Sequence, residues 1–194
     1  MTSLTDAVPQ PEVRRYTGTA AAFHWLVAVL VVIQVALAFG FASSEGAQRA
    51  SLFTWHKTVG ATILLIVIAR LAYRLTHRPP PFPNDLTWTE RALGVWNHRL
   101  FYLLLIGLPI GGLVAVSANS KDGMTGLALG LRMPVIPGIE KSLAESAGGI
   151  HEALAFVLIA LVLVHAAAAL KHRFIDKTPS AGRMPPFAAP VKAE

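Results

Sequence analysis

Four long apolar runs, separated by polar segments, dominate the hydropathy pattern of this 194-residue chain. They cover about residues 18–41, 52–76, 93–117 and 149–172. Each run is about 20 residues or longer, which is enough for a helix to cross a hydrocarbon layer of about 30 Å. In lipid, each segment must satisfy its own backbone polar groups. The pattern therefore predicts one all-α domain over residues 1–194, an integral membrane four-helix bundle, with flexible tails at 1–15 and 177–194.

The composition supports membrane spans. Only 14% of the residues are charged, whereas soluble domains have about 25%. The net charge of +6 is interpreted as basic residues flanking the spans, and no nucleic-acid partner is expected. The chain has no cysteine, which excludes iron–sulfur clusters, thiolate zinc sites and haem attached through cysteine. Histidine is then the obvious ligand for a redox metal.

The distribution of Lys and Arg predicts the orientation. If the N-terminus is inside, twelve of the 17 basic residues lie on or near the cytoplasmic side, and five lie outside. Cytoplasmic loops carry an excess of Lys and Arg, so both termini are predicted to be cytoplasmic.

Four histidines within the apolar runs are the strongest chemical signal: His24, His56, His151 and His165. An intramembrane histidine is costly unless it has a function or a partner. His151 and His165 are 14 residues apart, which is about 21 Å and nearly four turns, so they share one helix face. The topology then pairs His24 with His165 near the inner surface, and His56 with His151 near the outer surface.

A pair of histidines on facing helices suits haem iron, which accepts two axial imidazoles, and a porphyrin suits apolar surroundings. Zinc normally needs four ligands. We therefore predict two b-type haems, held by His24 with His165 and by His56 with His151. The alternative is a haem-free helical bundle, such as a transporter, in which these histidines hydrogen-bond between helices.

Other polar residues near the two predicted sites are weaker candidates. Lys57 and Arg132 are candidates for attracting a small anionic electron donor to the outer haem, although basic residues at an interface often only extend to the surface. Arg70, Arg74 and His98 are candidates for contacts with haem propionates or a quinone on the inner side. For these, ordinary anchoring or packing at the membrane surface is the alternative.

The order of these residues resembles the bacterial cytochrome b561 family. The matching motifs are Phe23-His24-Trp25-Leu26, His56-Lys57-Thr58-Val59-Gly60, Arg70-Leu-Ala-Tyr-Arg74, His98-Arg-Leu-Phe-Tyr102, Gly130-Leu-Arg-Met-Pro134, His151-Glu152, His165-Ala-Ala-Ala-Ala-Leu-Lys-His172 and Arg183-Met184-Pro185. The resemblance covers about residues 15–185 and implies a small di-haem quinone oxidoreductase of the bacterial inner membrane. It also implies that the four matched histidines are the axial haem ligands.

The resemblance further implies ubiquinone as a redox partner and leaves the electron donor open. At least one close relative acts as a superoxide oxidase, so a superoxide:ubiquinone oxidoreductase is the expected enzyme. The broader superfamily includes cytochrome b subunits of hydrogenases and formate dehydrogenases. The alternative is therefore an anchor subunit that passes electrons between a partner protein and quinone.

Overall fold

Four long helices form most of the structure, a computed structural model that describes residues 15–82 and 86–186. They are α1 (Gly18–Ala42), α2 (Gly46–Thr76), α3 (Trp88–Ser117) and α4 (Lys141–Leu170). A π-helical turn, Lys171–Ile175, extends α4. All four helices are long and apolar enough to cross a membrane. The predicted all-α membrane four-helix bundle is confirmed.

Each helix extends beyond the apolar run that predicted it or matches it closely. α2 begins at Gly46, α3 at Trp88 and α4 at Lys141, whereas the runs begin at about 52, 93 and 149. Hydropathy marks only the lipid-embedded part of a helix. The backbone hydrogen bonds continue into polar turns outside the hydrocarbon layer, and for α3 a capping box of Thr87 and Glu90 fixes the start.

The segment between α3 and α4 contains a small antiparallel hairpin that hydropathy does not predict. Its strands are β1 (Met124–Gly126) and β2 (Arg132–Pro134), joined through a 3-10 turn at Ala128–Gly130. The amide of Ala128 donates a 2.8 Å hydrogen bond to the hydroxyl of Thr58 on α2. The hairpin therefore lies against the first half of α2.

The helices are antiparallel in sequence order, so the bundle has two distinct ends. The terminal end contains the starts of α1 and α3 and the ends of α2 and α4; the loop end contains the hairpin. At the terminal end, residues 177–186 belong to the segment that the sequence predicts to be a flexible tail. They include a 3-10 turn, Pro179–Gly182, and the amide of Tyr16 donates to the carbonyl of Arg183 over 3.0 Å. The remaining predicted tail residues, 1–14 and 187–194, lie outside the described residues.

The helices do not pack evenly around the bundle. Within the described residues, α1 packs closely on α2, α2 on α3 and α3 on α4, whereas α4 does not pack closely on α1 or α2. The buried core lies in the middle of the bundle and includes Val31, Val67, Leu104 and Leu158. Large apolar side chains such as Leu163 are about two-thirds exposed, at 65%, as expected for a surface that faces lipid.

Candidate functional site

Two pairs of histidines lie across the space that separates α4 from α1 and α2. At the terminal end, the ring centroids of His24 on α1 and His165 on α4 are 6.3 Å apart. At the loop end, those of His56 on α2 and His151 on α4 are 6.2 Å apart. The structure thus brings together the same pairs of residues that the sequence predicts. It leaves their role as ligands a prediction.

These distances fit a single metal ion bound between each pair of rings. Two rings whose centroids are about 6.3 Å apart would leave room for one metal ion with a bond of about 2.0 Å to each ring. Among residues 15–82 and 86–186, no three or more His, Cys, Asp or Glu side chains are grouped to hold a metal ion. Each site therefore offers two imidazoles, the donor set that a haem iron needs to complete its coordination.

The surroundings of His151 leave one nitrogen of its ring ready to bind a metal. Nδ1 of His151 lies 2.8 Å from the backbone carbonyl of Leu108. A carbonyl only accepts hydrogen bonds, so Nδ1 carries the proton and the lone pair is on Nε2. Gly112 makes this approach possible, because a Cβ there would lie 3.2 Å from Cε1 and 3.3 Å from Nδ1 of the same ring.

The other histidine of the loop-end pair, His56, contacts Gln34 of α1. Nε2 of Gln34 lies 3.1 Å from Nε2 of His56. Gly60 leaves room for the side chain of Gln34, since a Cβ on Gly60 would lie 3.1 Å from the amide nitrogen of Gln34. Oε1 of Gln34 and Nδ1 of His56 are buried without a hydrogen-bond partner. An iron bound at Nε2 of His56 would take the lone pair that now faces Gln34.

Asn97 contacts the ring of His165 at the terminal end, as Gln34 contacts the ring of His56 at the loop end. Its side-chain nitrogen lies 3.3 Å from Nδ1 of His165, and its oxygen is buried without a hydrogen-bond partner. Exchanging the amide nitrogen and oxygen, which are nearly indistinguishable in shape, lets Nδ1–H of His165 donate to the oxygen. That arrangement again leaves the lone pair of Nε2 available for a metal.

Neither Gln34 nor Asn97 is among the site residues that the sequence predicts. The available signal for Gln34 is its position as an uncharged polar residue in the middle of an otherwise apolar run. Asn97 directly precedes His98, but only the packing of α3 against α4 shows which histidine it contacts.

Arg70 lies beside His24, with Nη2 3.4 Å from Nδ1. A guanidinium only donates hydrogen bonds, so Nδ1 accepts here and the ring proton is on Nε2. An iron held by Nε2 of His24 would need the proton on Nδ1 instead. The guanidinium of Arg70 could then no longer donate to this ring and would be available to another acceptor.

A cavity of about 310 Å³ opens beside the terminal-end pair. Its lining includes Arg70, Arg74, His98, Tyr73 and Tyr102, so it brings together the three inner-side candidates that the sequence predicts. The ring of His98 is also 5.5 Å from that of His165. Nδ1 of His98 donates to the carbonyl of Gly94 over 2.6 Å, which leaves Nε2 as its other hydrogen-bonding atom.

The two loop-end candidates have different surroundings. Lys57 follows His56 directly, and its ammonium donates a 2.9 Å hydrogen bond to the hydroxyl of Thr125 in the hairpin. Arg132 instead forms an ion pair with Asp122, and its hydrogen bond lowers the pKa of that carboxyl. Arg132 therefore already has an acidic partner, and Lys57 is the stronger of the two candidates.

A sequence model of the family described as prokaryotic cytochrome b561 matches residues 15–186. The chain belongs to this family. It is 31% identical over 173 residues to "Cytochrome b561 homolog 2" of Escherichia coli K12, covering 88% of this chain and 90% of that protein. It is 29% identical over 177 residues to "Probable superoxide oxidase CybB" of Yersinia pestis, covering 89% and 97%.

Membership of this family, together with the four membrane-spanning helices, gives the chain a location and a general function. It is a multi-pass protein of the bacterial inner membrane. As a family member, it functions in electron transfer and binds haem b. The predicted family and the predicted location are therefore confirmed.

Proposed function

We propose that the chain binds two haem b groups, one at each histidine pair, and conducts electrons across the membrane from a one-electron donor to the quinone pool. When bound, each haem iron supplies a reversible one-electron redox couple. The observation that carries the proposal is the repeated geometry: two imidazole pairs with centroids 6.3 and 6.2 Å apart. In both pairs one ring comes from α4, and the two rings of α4 are 14 residues apart.

An apolar region of the protein lies between the two proposed haem sites. His151 and His165 are separated by about 21 Å along α4. The buried core around Val31, Val67 and Leu158 lies in the middle of the bundle. These apolar side chains pack against one another between the two proposed sites.

For the orientation, we propose that the terminal end is cytoplasmic and the loop end periplasmic. The support is the distribution of Lys and Arg: among the described residues, ten lie on or near the terminal end and five on the other side. In this orientation, His56 and His151 lie near the periplasm, and His24 and His165 lie near the cytoplasm.

The proposed donor at the loop end is a small anion, with superoxide as the specific candidate. The ammonium of Lys57, one residue after His56, attracts an anion towards this end. The printed name of the Yersinia pestis relative, a probable superoxide oxidase, supports the same donor. Superoxide loses one electron and leaves as dioxygen, so two superoxide ions and two protons convert one quinone to quinol.

The proposed quinone site is the cavity at the terminal end, and ubiquinone is the proposed quinone. Arg70, Arg74 and His98 line this cavity and offer N–H donors to carbonyl oxygens. The rings of Tyr73 and Tyr102 form part of the same wall and suit a flat quinone ring. Arg70, once released from His24, also has a guanidinium ready for a haem propionate.

The first test is the haem content and its reduction. A pyridine haemochrome assay on well-loaded protein in detergent is expected to give two haems per chain; fewer than two contradicts the di-haem proposal. Stopped-flow mixing with superoxide is then expected to reduce the haem, and ubiquinone is expected to reoxidise it. A fully loaded protein that superoxide does not reduce would favour the anchor-subunit alternative, with a partner protein as donor.

A further inference from the structure

Residues 182–186, here termed the C-terminal clasp, connect three separate parts of the terminal end. Their central residue is Arg183, which is only 8% exposed. Its guanidinium donates to the carbonyls of Pro80 and Pro81 in the segment between α2 and α3. It also lies over the rings of Tyr16 and Phe82, 5.5 and 5.7 Å from their centroids. A buried cation is retained only where such contacts replace water.

The clasp is also joined to the residues that precede α1. The amide of Tyr16 donates to the carbonyl of Arg183 over 3.0 Å, and Nε of Arg15 donates to the carbonyl of Gly182 over 3.1 Å. The start of α1 is therefore fixed relative to the segment between α2 and α3.

A further contact leads from the clasp to the terminal-end histidine pair. The indole N–H of Trp25 donates a 2.7 Å hydrogen bond to the carbonyl of Pro185. The ring of Trp25 in turn meets the ring of His24 edge to face, with centroids 5.1 Å apart at 74°. An indole at a membrane surface normally finds water or a lipid headgroup. Here its partner is a backbone carbonyl 160 residues further along the chain.

We propose that the C-terminal clasp is a positioning element for His24: Arg183 anchors the clasp, Pro185 fixes Trp25, and Trp25 restricts the ring of His24. This inference rests on the proposed function, in which His24 is an axial ligand of the terminal-end haem. Removing a group that holds a metal ligand in its orientation typically lowers metal affinity about 10–100-fold. The Arg183-Met184-Pro185 motif thereby acquires a function although it contributes no ligand.

The central test replaces Trp25 by Phe, which removes the indole N–H and keeps an aromatic ring beside His24. The matched control is Trp88→Phe, because Trp88 lies at the same end and is 81% exposed. Trp25→Phe is expected to raise the rate of haem loss from the terminal-end site about 10-fold. It should also shift the low-spin EPR signal of that haem. The signal is assigned as the one that disappears in His24→Ala.

A second variant acts at the anchor. Arg183→Gln removes the guanidinium, with Arg99→Gln as the control, since Arg99 contacts the exposed ring of Trp96 instead. Because both substitutions interrupt the same chain of contacts, the double variant Trp25→Phe/Arg183→Gln is expected to differ little from the more severe single variant. Independent roles would give effects that multiply.

A readout that needs no haem keeps this test separate from the proposed function. In 15N-labelled protein, the indole N–H of Trp25 is expected to be protected from hydrogen exchange and to lose protection in Arg183→Gln. An indole that exchanges freely in the unaltered protein would overturn the clasp itself. With the clasp intact, unchanged haem loss and EPR signals in Trp25→Phe, or changes confined to the loop-end haem, would overturn the positioning role. A haem count below two would instead contradict the proposed function.

Discussion

Gly112 offers the sharpest test of the loop-end site, because there is too little room for a methyl group between it and the ring of His151. A Cβ on Gly112 would lie 3.2 Å from Cε1 of the imidazole, whereas a Cβ on the adjacent Gly111 would lie 4.0 Å from Cβ of His151, an ordinary contact. Gly112→Ala must therefore move the ring by a few tenths of an ångström, and Gly111→Ala need not. The two variants introduce the same methyl group into the same helix.

The magnitude follows from the hydrogen bond that the displaced ring gives up. Nδ1 of His151 is held 2.8 Å from the carbonyl of Leu108, and such a bond contributes about 0.5–1.5 kcal/mol net. That energy corresponds to about 2- to 13-fold in affinity. Loss of an orienting partner of a metal ligand typically costs about 10–100-fold, and the two ranges meet at about 10-fold. Replacing Gly by Ala in a helix favours folding by up to about 1 kcal/mol. A loss of haem in Gly112→Ala therefore cannot be attributed to a weaker helix.

The assay is haem retention during transfer to an excess of apomyoglobin, followed by absorbance. Gly112→Ala is expected to lose one haem about 10-fold faster than the unaltered protein while the other haem stays bound. Gly111→Ala is expected to retain both. Equal retention by the two variants, or equal loss, would refute the contribution of Gly112 to the position of His151.

The remaining predictions concern the ligands, the donor and the cap of α3. His151→Ala should remove one haem and leave the other largely bound, as measured by haemochrome; loss of both with the helical circular dichroism unchanged would contradict the pairing. Asn97→Leu should accelerate loss of the terminal-end haem about 10-fold and spare the loop-end haem. At low salt, Lys57→Gln should slow haem reduction by superoxide at least several-fold. Arg132→Gln should change the rate less than about twofold, because Arg132 is already paired with Asp122. Equal effects of the two substitutions would exclude a special role for Lys57. Thr87→Ala should destabilise the start of α3 by about 1 kcal/mol, seen as faster amide exchange there, since it removes a capping box.

The four helices and the positions of the histidines were accessible from the sequence for physical reasons. Lipid cannot satisfy backbone polar groups, so each span must be a helix of nearly fixed length. A helical repeat of 3.6 residues then places His151 and His165 on one face, and the alternating direction of the spans puts His24 and His56 at opposite ends. Position along the chain is enough to define these features.

Other features depend on contacts that position along the chain does not define. The partners of the histidine rings come from neighbouring helices, and one of them is the backbone carbonyl of Leu108, which any residue would carry. The C-terminal clasp is rich in proline, which composition associates with loose segments. Its order comes from Arg183, which is buried against the carbonyls of Pro80 and Pro81.

The uneven packing of α4 has a consequence for how the protein is assembled in the cell. Among the described residues, α4 packs closely on α3 but not on α1 or α2, yet its two histidines face both of those helices. After insertion, α4 would therefore be held mainly through α3, and the proposed haems would strengthen its contacts with α1 and α2. Haem supply would then govern the maturation of the protein: without haem, α4 is the first helix expected to separate from the bundle and become a substrate for membrane proteases.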